Sequence, residues 1–188
     1  MKSTEEVKKN ILNTAANLFY KQGYNSTGIN QIIEESEIAR ASLYNHFKSK
    51  SDLLHAYLED ASKKWFDELY KYIADTEDPK EKILKMFDFR MERQIVNQYR
   101  GCPFIKAGAE IAQNDSLSFE IVDRNKMTFR DFILAIITDM KTDNNNLSKI
   151  EIADTLYMLL EGATVTASFQ KNGEMMQRAK QIAKKLLY

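Results

Sequence analysis

Between residues 38 and 51 the chain carries Arg40, His46, Lys48 and Lys50 and not one acid. Cations at that density can hold phosphate, because binding needs positive potential at the contact surface rather than over the whole molecule. Residues 1–50 set Lys2, Lys8, Lys9, Lys21, Arg40, Lys48 and Lys50 against Glu5, Glu6, Glu34, Glu35 and Glu37. The excess is modest, so a solvated helix face and a nucleic-acid contact are both open on charge alone. Other chemistry is sparse. One cysteine excludes an internal disulfide, and His46 and His55 are too few for an ordinary zinc site, so no metal is expected. No glycine-rich phosphate loop and no Ser/His/Asp set appears, so neither an enzyme nor a cofactor is expected. Cys102 has no histidine near it in sequence. It is either a small buried apolar residue or a reactive sensor thiol.

The elements that must position these groups are helical. In 188 residues there are two prolines and six glycines, too few for the turns of a sandwich or barrel. No apolar run approaches a membrane span, and the start MKSTEEVKKN lacks the apolar stretch of a signal peptide. A soluble, cytoplasmic protein is the expectation. Ser3 and Glu6 form a capping-box pattern ahead of Ile11, Leu12, Ala15, Ala16 and Phe19, with Gly23 as a left-handed cap. Thr27 can cap a second short helix, and a third runs over about 39–45. Ser49 and Asp52 open a long helix, and Pro79 and Pro103 suit first turns. Ser148 and Glu151 cap a further helix, which ends before Asn172-Gly173, and 143–146 reads as a polar loop. The total is about nine helices and no strand, an all-α chain.

Order and spacing then add a more specific signal. Ala15-Ala16, Leu18-Phe19, Gly23-Tyr24, Thr27 and Ile32 precede Leu43-Tyr44-Asn45-His46-Phe47-Lys48-Ser49-Lys50 and Leu53-Leu54. Over residues 5–65 this resembles the DNA-binding domain of the TetR family of bacterial transcriptional regulators, with the helix-turn-helix at 28–47. The resemblance implies a DNA-binding domain over 1–50 and a helical ligand-binding and dimerisation domain over 51–188. It places Arg40, Ala41, Ser42 and Asn45 on the DNA-facing side of a recognition helix. Arg40 would reach a guanine or a phosphate, and Asn45 an adenine. Tyr44 and His46 would touch the backbone. Thr27, Gly28 and Asn30 at the head of helix 2, and Lys50 at the head of helix 4, would add phosphate contacts. Leu43 and Phe47 would pack the small core. Two positions depart from the pattern: Glu37 stands where the turn usually has glycine, and Ala39 where helix 3 usually has a serine or threonine cap. A missing cap costs about 1 kcal/mol.

The resemblance further implies a double-stranded DNA operator, a homodimer and a small-molecule inducer as partners, with release from a palindromic site. Phe87, Met91, Phe104, Phe132, Tyr157 and Met158 are candidates for the inducer pocket, or else plain core. Glu110 and Glu161 are acids within apolar helices, either polar contacts for a ligand or side chains that simply reach solvent. For the dimer interface the candidates are Leu156, Leu160, Ala163, Ala167, Met175, Ala179, Ile182 and Leu186, because helix 8 is apolar on more than one side. Two alternatives stand beside this reading: an oxidant or electrophile sensor acting through Cys102, and a helical ligand-binding or interaction protein without specific DNA binding.

Overall fold

Ser3 opens α1 (Thr4–Gln22) with both bonds of a capping box: its Oγ accepts from the Glu6 N–H at 3.2 Å, and its own N–H donates to the Glu6 carboxylate at 2.6 Å. A computed structural model describes residues 3–111, 115–140 and 147–188. Among these residues the chain forms nine α-helices and no strand. After α1 come α2 (Ile29–Glu35), α3 (Arg40–His46), α4 (Lys50–Ile73) and α5 (Pro79–Val96). Then follow α6 (Pro103–Glu110), α7 (Ser116–Thr138), α8 (Lys149–Gln170) and α9 (Glu174–Leu187). The all-α expectation holds. The expected polar loop at 143–146 lies outside the described residues.

Local chemistry accounts for most helix ends. Ser49 Oγ accepts from the Asp52 N–H at 3.0 Å and starts α4. Asp78 caps α5 directly ahead of Pro79, which has no N–H to lose there. Ser148 and Glu151 repeat the capping box at α8. Two expectations are corrected. Gly23 ends α1 at φ 99°, ψ 157°, a positive φ but not the left-handed helical cap. The cap of α2 is Gly28 rather than Thr27.

The chain forms two compact units, Met1–Lys64 with Pro103–Asp123, and Trp65–Cys102 with Arg124–Tyr188. The first unit keeps the front of α4 and takes α6. In the first unit α1 packs on α2 and α3. Ile11, Leu18, Phe19, Ile32, Leu43, Phe47, Leu53, Leu54 and Leu58 are buried there. Each such side chain contributes about 1.5–3 kcal/mol by leaving water. In the second unit α5, α8 and α9 pack together. Its core holds Phe87, Phe129, Ile133, Leu156 and Leu160, with Ala163, Ala179 and Ala183 letting the helices approach closely.

Candidate nucleic-acid interface

Helix α3 is anchored by its apolar side. Leu43 is fully buried and Phe47 nearly so. The α2–α3 turn is held from α1, where Asn10 Nδ2 donates to the Ser36 carbonyl at 2.7 Å. Glu37, next in the turn, sits at φ 54°, a left-handed conformation costly for any residue but glycine. The anchoring turns Arg40, Ala41, Tyr44 and Asn45 outward on one face, with Tyr44 38% exposed. Ser42 and His46 are half-buried at its edge. Arg40 Nη2 donates to Asn30 Oδ1, so the guanidinium lies between α2 and α3. Gly28 is exposed, with open space where a Cβ would stand. Neither Gly28 nor Ala39 makes a side-chain cap.

Two members of the expected contact set are placed differently. Thr27 is fully buried, and its hydroxyl donates to the Gly23 carbonyl at 2.7 Å. It ties the α1–α2 turn instead of facing outward to a phosphate. Lys50 is half-buried, with Nζ 4.2 Å from the centre of the Tyr24 ring. Loss of water lowers its pKa, against the pull of the Glu110 charge.

Glu110 itself closes the α1–α2 turn. Its carboxylate accepts from the Asn25 N–H at 2.6 Å, and its carbonyl accepts from Asn25 Nδ2 at 3.1 Å. Gly23 sits at φ 99°, which favours glycine, and a Cβ there would lie 2.6 Å from a Glu110 oxygen and push that carboxylate aside. Lys106 Nζ adds a bond to the Tyr20 carbonyl at 2.6 Å. Sequence spacing does not reveal this clamp of α6 on α1, because its partners are 85 and 86 residues apart.

A Ser, His, Asp set is also assembled by the fold. Asp115 accepts from Ser51 Oγ at 2.8 Å and from Ser118 Oγ at 2.7 Å. Its carboxylate also lies 3.5 Å from His55 Nε2. Ser51, Ser118 and Asp115 all meet the same histidine nitrogen, Nε2. A proton relay needs base and acid on opposite ring nitrogens, so this set ties α4 to the start of α7 and does no nucleophilic chemistry.

In the second unit Phe87 is buried in the core, with Met91, Phe132 and Tyr157 packed partly buried against it. Phe104 is buried in the first unit, and Met158 stands 61% exposed on the outside of α8. The expected dimer set also divides. Leu156, Leu160, Ala163, Ala167 and Ala179 are buried within their own unit, whereas Ile182 is 51% exposed and Met175 and Leu186 are half-buried. On α8 the outward face is instead Met158, Gly162, Thr166 and Phe169, the last 81% exposed. A Cβ on Gly162 would meet nothing.

A charged cluster lies inside the same unit. Glu161 accepts from Arg90 Nη2 at 2.9 Å and from Lys126 Nζ at 2.5 Å. Burial works against its charge, yet the facing Arg90 and Lys126 hold its pKa below the usual carboxylate range. Glu161 therefore does not simply reach solvent. Lys126 Nζ also donates to Cys102 Sγ at 3.4 Å, and Cys102 is buried. Arg90 was legible as an anomaly, since it falls on the buried stripe of α5 with Ile83, Phe87 and Gln94.

The sequence model of "Bacterial regulatory proteins, tetR family" matches residues 11–57. The transcriptional regulator QacR of Staphylococcus aureus (strain Mu50) is 38% identical over 65 residues, 35% of this chain and 35% of its own. An uncharacterised regulator of Lactococcus lactis is 31% identical over 98 residues, 51% of this chain and 50% of its own. The chain thus spans a third to a half of these relatives' length in the matches. Among solved structures, a TetR-family regulator from Streptomyces coelicolor superposes with TM-score 0.85 at 23% identity, covering 97% of this chain and 95% of that one. The reduced form of NemR from E. coli superposes with TM-score 0.81 at 20% identity, covering 97% of each chain. At such identities the likeness concerns the fold.

Proposed function

The chain belongs to the TetR family of bacterial transcriptional regulators, and from that premise we propose that it is a repressor that binds a palindromic operator as a homodimer and is released by a small molecule. The observation that carries this reading is the outward face of α3: Arg40, Ala41, Tyr44 and Asn45 exposed together on a helix locked from behind by Leu43. Such a helix enters the major groove with side chains of the types that read base edges. Asn30 supports the same reading by holding Arg40 ready between α2 and α3. Ser42 stands at the edge of this face, and Tyr44, His46, Gly28 and Lys50 would contact the DNA backbone. Two copies would meet half-sites about 34–36 Å apart, or a small multiple of one turn. The second unit would take the inducer near Phe87, Met91, Phe132 and Tyr157.

Selection of bound sequences from random DNA at stated salt tests the reading and yields the operator. Arg40→Ala and Asn45→Ala then relax base preference by about 1–3 kcal/mol at one position each. Lys50→Ala weakens all sequences alike and flattens the salt slope by about one. Equal losses on operator and scrambled DNA for Arg40→Ala and Asn45→Ala would remove the base-reading role.

One contact favours the second reading, a thiol sensor: the Lys126 ammonium against Cys102 Sγ. Burial of that thiol opposes it, because oxidants and electrophiles need access. Accordingly Cys102→Ser leaves DNA release by peroxide unchanged; a peroxide response that vanishes in the variant would promote the sensor.

A further inference from the structure

Arg90, Lys126 and Glu161 place two cations and one carboxylate inside the second unit, their side chains only 8%, 13% and 15% exposed. Each oxygen of Glu161 is taken by one cation, and among the described residues neither cation has another carboxylate partner. One positive charge is left over where water is scarce, and an uncompensated buried charge is expensive. Donor capacity is left over as well. Arg90 Nε is buried with no hydrogen-bond partner, and Nη1 has only a long 3.5 Å contact to the Thr164 hydroxyl. That hydroxyl already donates to the Leu160 carbonyl at 2.7 Å.

The guanidinium is also fixed in place. Its carbon lies 4.9 Å from the centre of the Trp65 ring and 4.7 Å from that of Phe129. The rings set its orientation and supply apolar surface beside a free donor. A planar anion with a hydrophobic body satisfies all of these at once. Its charge offsets the excess cation, an oxygen accepts from Nε, and its body lies against the aromatics.

We infer that this cluster is the recognition point for an organic carboxylate with an aromatic or aliphatic body, and that Arg90 is the residue that selects it. The inference rests on the proposed release by a small molecule and names the chemical class of that ligand. Glu161 acts as the internal competitor: it occupies one donor of each cation and so lowers affinity for the arriving anion.

Calorimetry on the whole 188-residue chain without DNA tests this, with fluorescence of Trp65, the only tryptophan of the chain, as the local reporter. The probes are 3-phenylpropionate, 1-naphthoate and decanoate, each against its neutral amide. At least one acid binds ten or more times tighter than its amide and changes the Trp65 emission. Arg90→Gln removes this preference, and Glu161→Gln tightens the acid by about tenfold. Should Arg90→Gln fail to fold by circular dichroism, Glu161→Gln and the acid–amide comparison in the wild type still decide. Equal binding of acid and amide, weaker acid binding in Glu161→Gln, or no binding by all three acids would overturn the inference. None of these outcomes touches base reading by α3. Conversely, an acid that binds but leaves operator affinity unchanged would overturn the release reading and not the recognition point.

Discussion

Glu37 pays a conformational cost that glycine would not, because φ 54° brings its Cβ against the neighbouring carbonyl. Glu37→Gly relieves about 1–2 kcal/mol of that strain and adds about 0.5–1 kcal/mol of unfolded-chain entropy. A net gain of about 0.5–1 kcal/mol in urea unfolding is expected, with the midpoint moved and the slope kept. The substitution also removes an exposed negative charge beside α3, so DNA affinity rises at low salt and converges with wild type at high salt. A second residue sets the acid limb of stability. Burial works to raise the pKa of Asp115, but hydrogen bonds from Ser118, Ser51 and His55 outweigh it and hold the carboxyl at about 2, against 3.8 ordinarily. The unfolded chain therefore takes up this proton first as pH falls. The stabilisation is complete above about pH 5 and drains between about pH 4 and 2. Asp115→Asn lowers stability at pH 7 and flattens that limb, as read by thermal melts across the range.

Helices α3 and α8 divide their surfaces differently, and the division bears on function. On α3 the buried side is Leu43 with the Phe47 cap beyond it, and everything outward is polar or small except Tyr44. On α8 apolar residues occur all round, so hydrophobic pattern alone does not say which side faces the core. The structure buries Leu156, Leu160, Ala163 and Ala167. Left outside are Met158, Gly162, Thr166 and Phe169, at spacings of four, four and three residues along one face. Among the described residues nothing requires glycine at 162. Close approach of a second helix would, and this face is where the proposed homodimer is expected to form. Gly162→Glu puts a charge and a side chain into that contact. The expected result is a monomer by sedimentation, with the helical content of wild type and operator affinity reduced by a hundredfold or more. A dimer of unchanged affinity would move the interface elsewhere.

At the scale of the molecule the proposal is one of linkage. A ligand that weakens operator binding tenfold needs about 1.4 kcal/mol of coupling, and by reciprocity operator DNA weakens the ligand by the same factor. Titrating ligand into free protein and into protein saturated with operator measures both sides of that cycle. The two tenfold factors should agree; identical ligand affinities in the two titrations would mean that ligand binding does not drive release. Two contacts within the first unit hold α6 to α1 and the turn after it: Glu110 on Asn25 and Lys106 on Tyr20. Glu110→Ala would loosen the α1–α2 turn while leaving α3 and its face in place.

What the sequence alone determined was local. Capping boxes at Ser3 and Ser148, the Asp78-Pro79 start and the burial of Leu43 and Phe47 follow from side chains acting within one or two turns of themselves. The α3 face was legible for the same reason, since period 3.6 fixes which residues share a side once one of them is buried. Tertiary structure decided what depends on distant partners. It took Thr27 inside to bond Gly23, set Lys50 over Tyr24, and assigned Leu156 and Leu160 to the core rather than to a partner. It also gathered Arg90, Lys126 and Glu161 from three helices into one cluster. A charge on an apolar stripe signals that something must answer it. Which residue answers, and whether the sum is zero, is settled only when the helices pack and exclude the water that would otherwise do so.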